Sequence, residues 1–365
     1  MKILLVLPSL GDGPGGAEKV MCHLAGLLAS RADVSLVTLI ERDYYLSSLS
    51  ENVQYSSLGR SRALTALPGL IKFIRAGKFD AVISSSYINL LLGMLRRLIP
   101  SNVRIVARET TIPSVGVQRW RFPRLVRLLY RWSYRSFDHI ICQSADMSSD
   151  LSTFADISSD KISVVFNPHK ADDVRVLKDR RWFARDTETK ALVLTCVGKF
   201  SKQKNFSFVI DALAKGGFDN WVLNIVGDGP LRSELQKQID QYGLKAKVRM
   251  EGVSSEVEAI LAHSDCLVMA SHFEGMSNVM IESVCVGTPV IALPAPGGIA
   301  EVLGAIDGCK ITKDRSIQAL THELSIFEKG ERLPSESSLV FDPETIADAY
   351  LGIASGDPRR PECAA

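Results

Sequence analysis

A chain of 365 residues exceeds the span of a typical single core, so two domains are the expectation. Hydrophobic content of 46% and charged content of 23% are ordinary for a soluble globular enzyme. A formal net charge of +2 excludes a general attraction to nucleic acid, so any basic partner surface has to be local.

The chain opens on Ile3–Leu7, which is apolar and β-prone, and Pro8 ends the run too soon for a signal peptide. Glu18–Ala29 follows with helical apolar spacing at Val20, Leu24, Leu27 and Leu28, and Val34–Ile40 is strand-like. The alternation continues with a helix near Leu64–Arg75, a strand at Ala81–Ser84, a helix at Asn89–Leu98 and a strand at Val103–Ala107. A helix near Pro123–Ser136 and a strand at His139–Cys142 complete the series. The apolar run Leu90–Leu95 stops at Arg96 and Arg97, well short of a bilayer span. Residues 167–190 are polar, charged and aperiodic, and read as an interdomain connection.

A second series starts at Ala191–Gly198. Its further strands are Trp221–Val226, Val248–Met250, Cys266–Met269 and Val290–Ala292. Its helices lie near Phe206–Lys215, Leu231–Gln241, Glu256–Ala262 and Asn278–Val286. Continuous apolar strands between helices argue for parallel sheets covered on both faces. The expected fold is α/β, with two tandem Rossmann-like, doubly wound domains at 1–168 and 191–338 facing a cleft. A linker occupies 169–190. A helix within 339–356 is placed to cross back to the first domain, and 357–365 is a disordered tail. The seven cysteines are dispersed without a Cys-x-x-Cys pair, as reduced core thiols of a cytoplasmic protein would be.

Ligands of open parallel sheets bind beyond the carboxyl ends of the strands, and the distinctive residues fall in those loops. Gly11, Gly13 and Gly16 spell G-x-G-x-x-G between a strand and a helix, with Glu41 near the distance of a ribose-binding acid. That pattern admits a nicotinamide dinucleotide. Yet the loop is long, and Pro14 removes a phosphate-binding N–H. A lid whose Gly15-Gly16 backbone approaches a phosphate or sugar is the alternative, and a loop without function is the third reading. Gly198-Lys199-Phe200-Ser201-Lys202-Gln203-Lys204 puts three lysines before a helix N-terminus, which suits a diphosphate or is a solvated charge cluster. Gly227-Asp228-Gly229-Pro230 has turn chemistry, with Pro230 suited to a first helical position. Asp265 precedes a buried strand, and Gly297-Gly298 with Glu301 forms another strand-to-helix turn.

Ser271 to Glu282 is the most informative stretch. Ser277 is placed to cap the helix that carries Glu282, with Glu274 in the loop before it. Two acceptor-only carboxylates beside free helix N–H groups form a grip on a molecule bearing both hydroxyls and phosphates. The opposing reading is two ordinary surface carboxylates. Together with Gly15-Gly16-Ala17-Glu18, Glu251-Gly252 and Gly287-Thr288-Pro289, these segments resemble the retaining glycosyltransferases of family four, which have the GT-B fold. The resemblance covers residues 1 to about 303. It implies a nucleotide-sugar donor on the second domain and an acceptor mainly on the first.

Carried over to this sequence, the resemblance assigns Glu274 to the donor sugar and Glu282 to the ribose hydroxyls. Lys199 and Lys204 bind the diphosphate. Gly16 approaches it from the other domain, and Gly198, Gly227, Gly275, Met276, Ser277 and Asn278 line the donor. Lys199 stands where the family usually has arginine, so a bidentate grip becomes a point charge. Ala107-Arg108-Glu109-Thr110 occupies the place of a frequent histidine, which makes Arg108 and Glu109 the acceptor-side candidates. No Asp-x-Asp motif is present, so no metal or other cofactor is expected, and lysines with helix dipoles take a metal's place.

From Thr110 to Phe137 the chain has no acid but six arginines, Arg119, Arg121, Arg124, Arg127, Arg131 and Arg135, interleaved with Trp120, Phe122, Tyr130, Trp132 and Tyr134. Such a helix suits an anionic membrane surface or a lipid-linked phosphate. The alternative is a core-packed helix with a solvated basic face. The expected protein is a cytoplasmic, peripheral inner-membrane transferase. It moves a UDP-linked hexose or N-acetylhexosamine to a polyprenyl-diphosphate-linked or other glycan acceptor in bacterial surface-polysaccharide assembly, and binds no nucleic acid. An NAD-dependent oxidoreductase and a non-catalytic GT-B binding module are the competing classes.

Overall fold

The computed structural model describes residues 1–13, 15–118, 120–171 and 191–357. Pro14, Arg119, most of the expected linker and the tail from 358 lie outside the described residues. The chain forms two compact units. Among the described residues, one is Met1–Pro168 together with the chain from Phe341 to Asp357, and the other runs from His169 to Val340.

The first unit is built on a seven-stranded parallel sheet. Its strands are β1 (Lys2–Leu7), β2 (Asp33–Thr38), β3 (Gln54–Ser57), β4 (Ala81–Ser85), β5 (Arg104–Arg108), β6 (His139–Cys142) and β7 (Ile162–Val164). Their order is β3-β2-β1-β4-β5-β6-β7. The central strands are apolar on both faces because helices cover both, and Ile3, Leu4, Leu5 and Val6 are wholly buried. The chain adds strands on one side of β1 and then on the other, so the switch point lies at the carboxyl ends of β1 and β4. The last helix, Pro343–Ser355, packs in this unit against the Gly16–Ala29 helix, β4 and β5. Asp342 caps it by accepting from the Thr345 N–H at 2.8 Å, and the Arg104 Nε donates to the Ile353 carbonyl at 2.8 Å.

The second unit has six parallel strands: β8 (Leu192–Val197), β9 (Trp221–Val226), β10 (Val248–Gly252), β11 (Cys266–Met269), β12 (Val290–Ala292) and β13 (Lys310–Ile311). They lie in the order β10-β9-β8-β11-β12-β13, which puts this unit's switch point between β8 and β11. Leu194, Cys196, Leu223, Ile225, Val268 and Ile291 fill the core with Phe206, Val209 and Ile210 of the Phe206–Lys215 helix. Asp265 has a structural task here: its Oδ2 accepts from the Val193 N–H at 2.8 Å and ties the start of β11 to β8.

Candidate functional site

The loops leaving β8 and β11 meet at the second unit's switch point. Lys204 follows β8 and Glu274 follows β11. The Lys204 Nζ donates to Glu274 Oε1 at 2.6 Å, and the Ser271 hydroxyl donates to the same oxygen at 2.7 Å. Glu274 is 6% exposed. A carboxylate so shielded depends on its ion-pair partner, and removing either partner strands the other. The two loops are also laced by backbone. The His272 N–H donates to the Gln203 carbonyl at 2.8 Å, and the Gln203 Nε2 donates to the Phe273 carbonyl at 3.0 Å.

Glycine is required where these loops touch others. Gly297 has φ +108, and a Cβ there would stand 1.4 Å from the Glu274 carbonyl oxygen. That approach lets the Glu274 N–H donate to the Pro296 carbonyl at 3.1 Å, and Gly298 N–H donate to the Gly275 carbonyl at 3.0 Å. Gly227 has φ +131, and its Cβ would stand 2.0 Å from the Gly198 carbonyl oxygen. Gly229 lies between Gly227 and the helix Arg232–Gln241, so Pro230 sits in the turn before the helix and not at its first position.

Beyond Glu274 the chain enters the helix Asn278–Cys285. Ser277 stands at its N-cap, but its side chain makes no capping hydrogen bond, contrary to the sequence expectation. The Ser277 Oγ is buried and has no hydrogen-bond partner. The first-turn N–H groups lack intrahelical acceptors by geometry, and the helix dipole is positive at this end. A buried hydroxyl without a partner at such an end fits an anionic group. Met276 is buried and its Sδ–Cε end lies against Gly298; Gly275 and Asn278 are half-buried. Glu282 lies on the same helix and is buried, which removes the reading of both glutamates as surface carboxylates. It stands near Cys285, whose thiol is pushed up to about 12, first by burial and then by Glu258 and Glu282.

Lys204 folds its stem over Gly198, where a Cβ would lie 3.1 Å from Lys204 Cε. Lys199 is on the same loop and exposed, so the two lysines differ in setting: one is paired and shielded, the other solvated. Among the described residues no group of three or more His, Cys, Asp and Glu side chains could hold a metal ion.

The first unit carries the remaining candidates. Gly16 is exposed and opens the helix Gly16–Ala29. The loop before it runs from Pro8 to Gly15, and the Tyr45 hydroxyl accepts from the Gly15 N–H at 3.0 Å. Its length after β1 disfavours the dinucleotide reading, whose phosphate turn follows its strand directly.

Arg108 and Glu109, the acceptor-side candidates, lie inside the first unit. Both are buried at the carboxyl end of β5, with internal partners. The Arg108 Nε donates to the Tyr350 hydroxyl at 3.0 Å, and its Nη2 donates to Asn167 Oδ1 at 2.7 Å. Glu109 Oε1 accepts from the Thr110 N–H at 2.9 Å, and Oε2 accepts from the Tyr134 hydroxyl at 2.5 Å. Burial pushes the Glu109 carboxyl up, and these donors and Arg108 offset that only in part. Arg108 braces the sheet against the last helix, while Glu109 ties it to Tyr134. Proximity in sequence to the expected histidine did not reveal that, because Tyr350 lies so far along the chain.

The basic aromatic segment forms the helix Pro123–Tyr134. Val126, Ser133 and Tyr134 are its buried face. Leu125, Leu128 and Trp132, on the opposite side, are 54%, 63% and 60% exposed, and Trp120 and Phe122 are exposed beside them. The apolar stripe is therefore not a core-packing face. Arg124 is exposed. Arg127 donates to the Phe154 carbonyl at 3.0 Å and lies over the Phe154 ring, while Arg131 and Arg135 both pair with Asp156. Arg119 lies outside the described residues. No described helix is long and apolar enough to cross a membrane.

Comparison with known proteins agrees with this geometry. The family model described as "Glycosyltransferase Family 4" matches residues 14–172, and that described as "Glycosyl transferases group 1" matches 179–338. A Campylobacter jejuni N-acetylgalactosamine-N,N'-diacetylbacillosaminyl-diphospho-undecaprenol 4-alpha-N-acetylgalactosaminyltransferase is 27% identical over 319 residues, 83% of each chain. The Erwinia amylovora amylovoran biosynthesis glycosyltransferase AmsD is 24% identical over 96% of this chain and 99% of its own. The crystal structure of Anabaena Alr3699/HepE in complex with UDP and glucose is similar in fold, with TM-score 0.77, 19% identity and coverage of 98% of this chain and 100% of that one. Two Rossmann-like units, the site at the second switch point and both family matches place this chain among the family-four, group 1 glycosyltransferases of GT-B fold.

Proposed function

We propose that this glycosyltransferase moves a hexose or N-acetylhexosamine from its UDP-linked form to a polyprenyl-diphosphate-linked or other glycan acceptor, retaining the anomeric configuration, in bacterial surface-polysaccharide assembly. The observation that carries the reading is the shielded Lys204–Glu274 pair, 2.6 Å apart, which joins the loop after β8 to the loop that leads into the Ser277 helix start. It sets a cation and a helix N-terminus for the diphosphate beside a carboxylate for the sugar hydroxyls. The relatives' names support the acceptor class: one acts on a diphospho-undecaprenol saccharide, another in amylovoran biosynthesis.

In this reading the bond from the anomeric carbon to the diphosphate oxygen breaks while the acceptor oxygen bonds on the same face. The acceptor proton passes to the departing diphosphate. Lys199, Lys204 and the first-turn N–H groups of the Ser277 helix neutralise the charge that develops there, with no metal required. Glu274 orients the sugar, and Glu282 accepts from the ribose hydroxyls. The same proposal seats the Pro123–Tyr134 helix on the cytoplasmic face of the membrane. Phe122, Leu125, Leu128 and Trp132 enter the interface and Arg124 meets lipid phosphates, which places the enzyme beside a lipid-linked acceptor.

A panel of UDP-glucose, UDP-galactose and their N-acetylated forms, read by UDP release with a bacterial lipid extract as acceptor, tests the donor assignment. One or two donors are expected to turn over, and EDTA is expected to leave the rate within about twofold. Turnover of no UDP-sugar sinks the donor assignment, and abolition by EDTA with recovery on adding Mg²⁺ or Mn²⁺ sinks the metal-free mechanism.

A further inference from the structure

Arg315 spends its hydrogen-bond donors on the walls of the Glu274 loop. Its Nη1 donates to the Ser271 carbonyl at 3.0 Å and the Pro294 carbonyl at 2.7 Å. Its Nη2 donates to the Ala270 carbonyl at 2.9 Å and lies 3.3 Å from His272 Nδ1. Ala270 and Ser271 directly follow β11, and Pro294 follows β12. One planar guanidinium thus spans the carboxyl ends of two adjacent strands, at the switch-point side of the sheet.

Both walls lead to Glu274. Ser271 holds its carboxylate through the hydroxyl, and Pro296, two residues beyond Pro294, holds its N–H. A second arginine offers a contrast at the other end of the same strands. Arg332 donates to the Ala262 and Ser264 carbonyls, each at 2.9 Å, and to the Thr288 hydroxyl at 2.8 Å, all before β11 and β12 begin. Arg332 fastens the strands where no site residue lies. Arg315 fastens them where the sugar-contacting carboxylate leaves the sheet.

We propose that Arg315 is a positioning residue for the transfer: by fixing Ser271 and the β12 loop, it sets the angle at which Glu274 meets the donor sugar. The inference rests on the reading of Glu274 as the sugar contact. Small misplacements of an orienting group cost far more in rate than in binding, because the geometry matters most in the transition state. UDP is gripped by lysines and a helix start that Arg315 does not touch. Lysine is a poor substitute, since a point ammonium cannot reach acceptors on two strands at once.

The test uses the full chain with the UDP-sugar that gives the fastest UDP release. Arg315→Met is expected to lower kcat about 100-fold while UDP affinity by calorimetry and donor KM stay within about fivefold. Arg315→Lys is expected to lose about tenfold, and carries the test if Arg315→Met does not fold. Ser271→Ala is expected to lower kcat, and adding it to Arg315→Met to cost less than the product of the single losses, because the two act in one chain of contacts. Arg332→Met is expected to lower the melting temperature without a comparable loss of kcat. Full kcat in Arg315→Met while Glu274→Ala is inactive overturns the inference alone, as does equal loss of kcat in the Arg315 and Arg332 variants at equal melting temperature. Full transfer by Glu274→Ala overturns the reading beneath it.

Discussion

Replacing Glu274 with alanine is expected to lower kcat about 10³-fold and to leave UDP binding unchanged or tighter. The two effects separate for an electrostatic reason. Without donor, the Lys204 ammonium is committed to Glu274 Oε1 at 2.6 Å. Removing the carboxylate frees that ammonium for a diphosphate and removes a negative charge from its vicinity. The sugar meanwhile loses the acceptor that orients its hydroxyls, a loss felt mostly in the transition state. Glu274→Gln keeps the shape and can still accept from Ser271, but it carries no charge, and is expected to lose about 10²-fold. Removing one member of a shielded pair also costs roughly 3–5 kcal/mol when the other is left uncompensated, so both variants should melt earlier. Steady-state kinetics with calorimetry of UDP separates the cases. A variant that keeps its kcat, or loses UDP binding in proportion to kcat, contradicts the role assigned to Glu274.

The second large effect concerns the exposed helix. Changing Leu125 and Leu128 to serine and Trp132 to alanine is expected to weaken binding to phosphatidylglycerol-containing vesicles about 100-fold, at roughly 1 kcal/mol per partly inserted side chain. These side chains are more than half exposed, so the melting temperature should hardly move. Arg124→Gln is expected to cost about fivefold, an effect that fades with salt. Arg131→Gln should cost less, because the Asp156 carboxylate, shared with Arg135, already offsets part of that arginine's charge. Vesicle co-sedimentation measures all of these. Equal binding to phosphatidylcholine vesicles, or indifference to the triple change, would remove the membrane assignment.

The sheet cores were legible because each central strand is a short apolar run between punctuating loops. β9, β11 and β12 fall at the residues expected from sequence. β3 (Gln54–Ser57) has no apolar run, since an edge strand needs only one neighbour. The helix Ala145–Ala155 is rich in serine and aspartate, and only its Ser144 cap, accepting from the Met147 N–H at 3.2 Å, signals its start. The two-residue β13 and the helix Ile317–Ile326 also went unseen in a segment without strong periodicity.

The site divides the same way. Glu274, Lys204 and the glycines were legible because charge and φ freedom leave a trace in residue type. Arg315 left none, because its acceptors are carbonyls that every residue possesses. The setting of Arg108 and Glu109 was hidden for a related reason: the partners that occupy these two charged residues at a strand end, Asn167, Tyr350 and Tyr134, come from distant parts of the chain.

The most direct measurement is the structure of the product. The purified enzyme is incubated with the donor selected by the panel and a polyprenyl-diphosphate-linked glycan, and the new linkage is read by NMR. The account predicts a glycan longer by one sugar, joined in the α configuration of the UDP-linked donor. Release of UDP with no lengthened glycan, or a β-linked product, would contradict it.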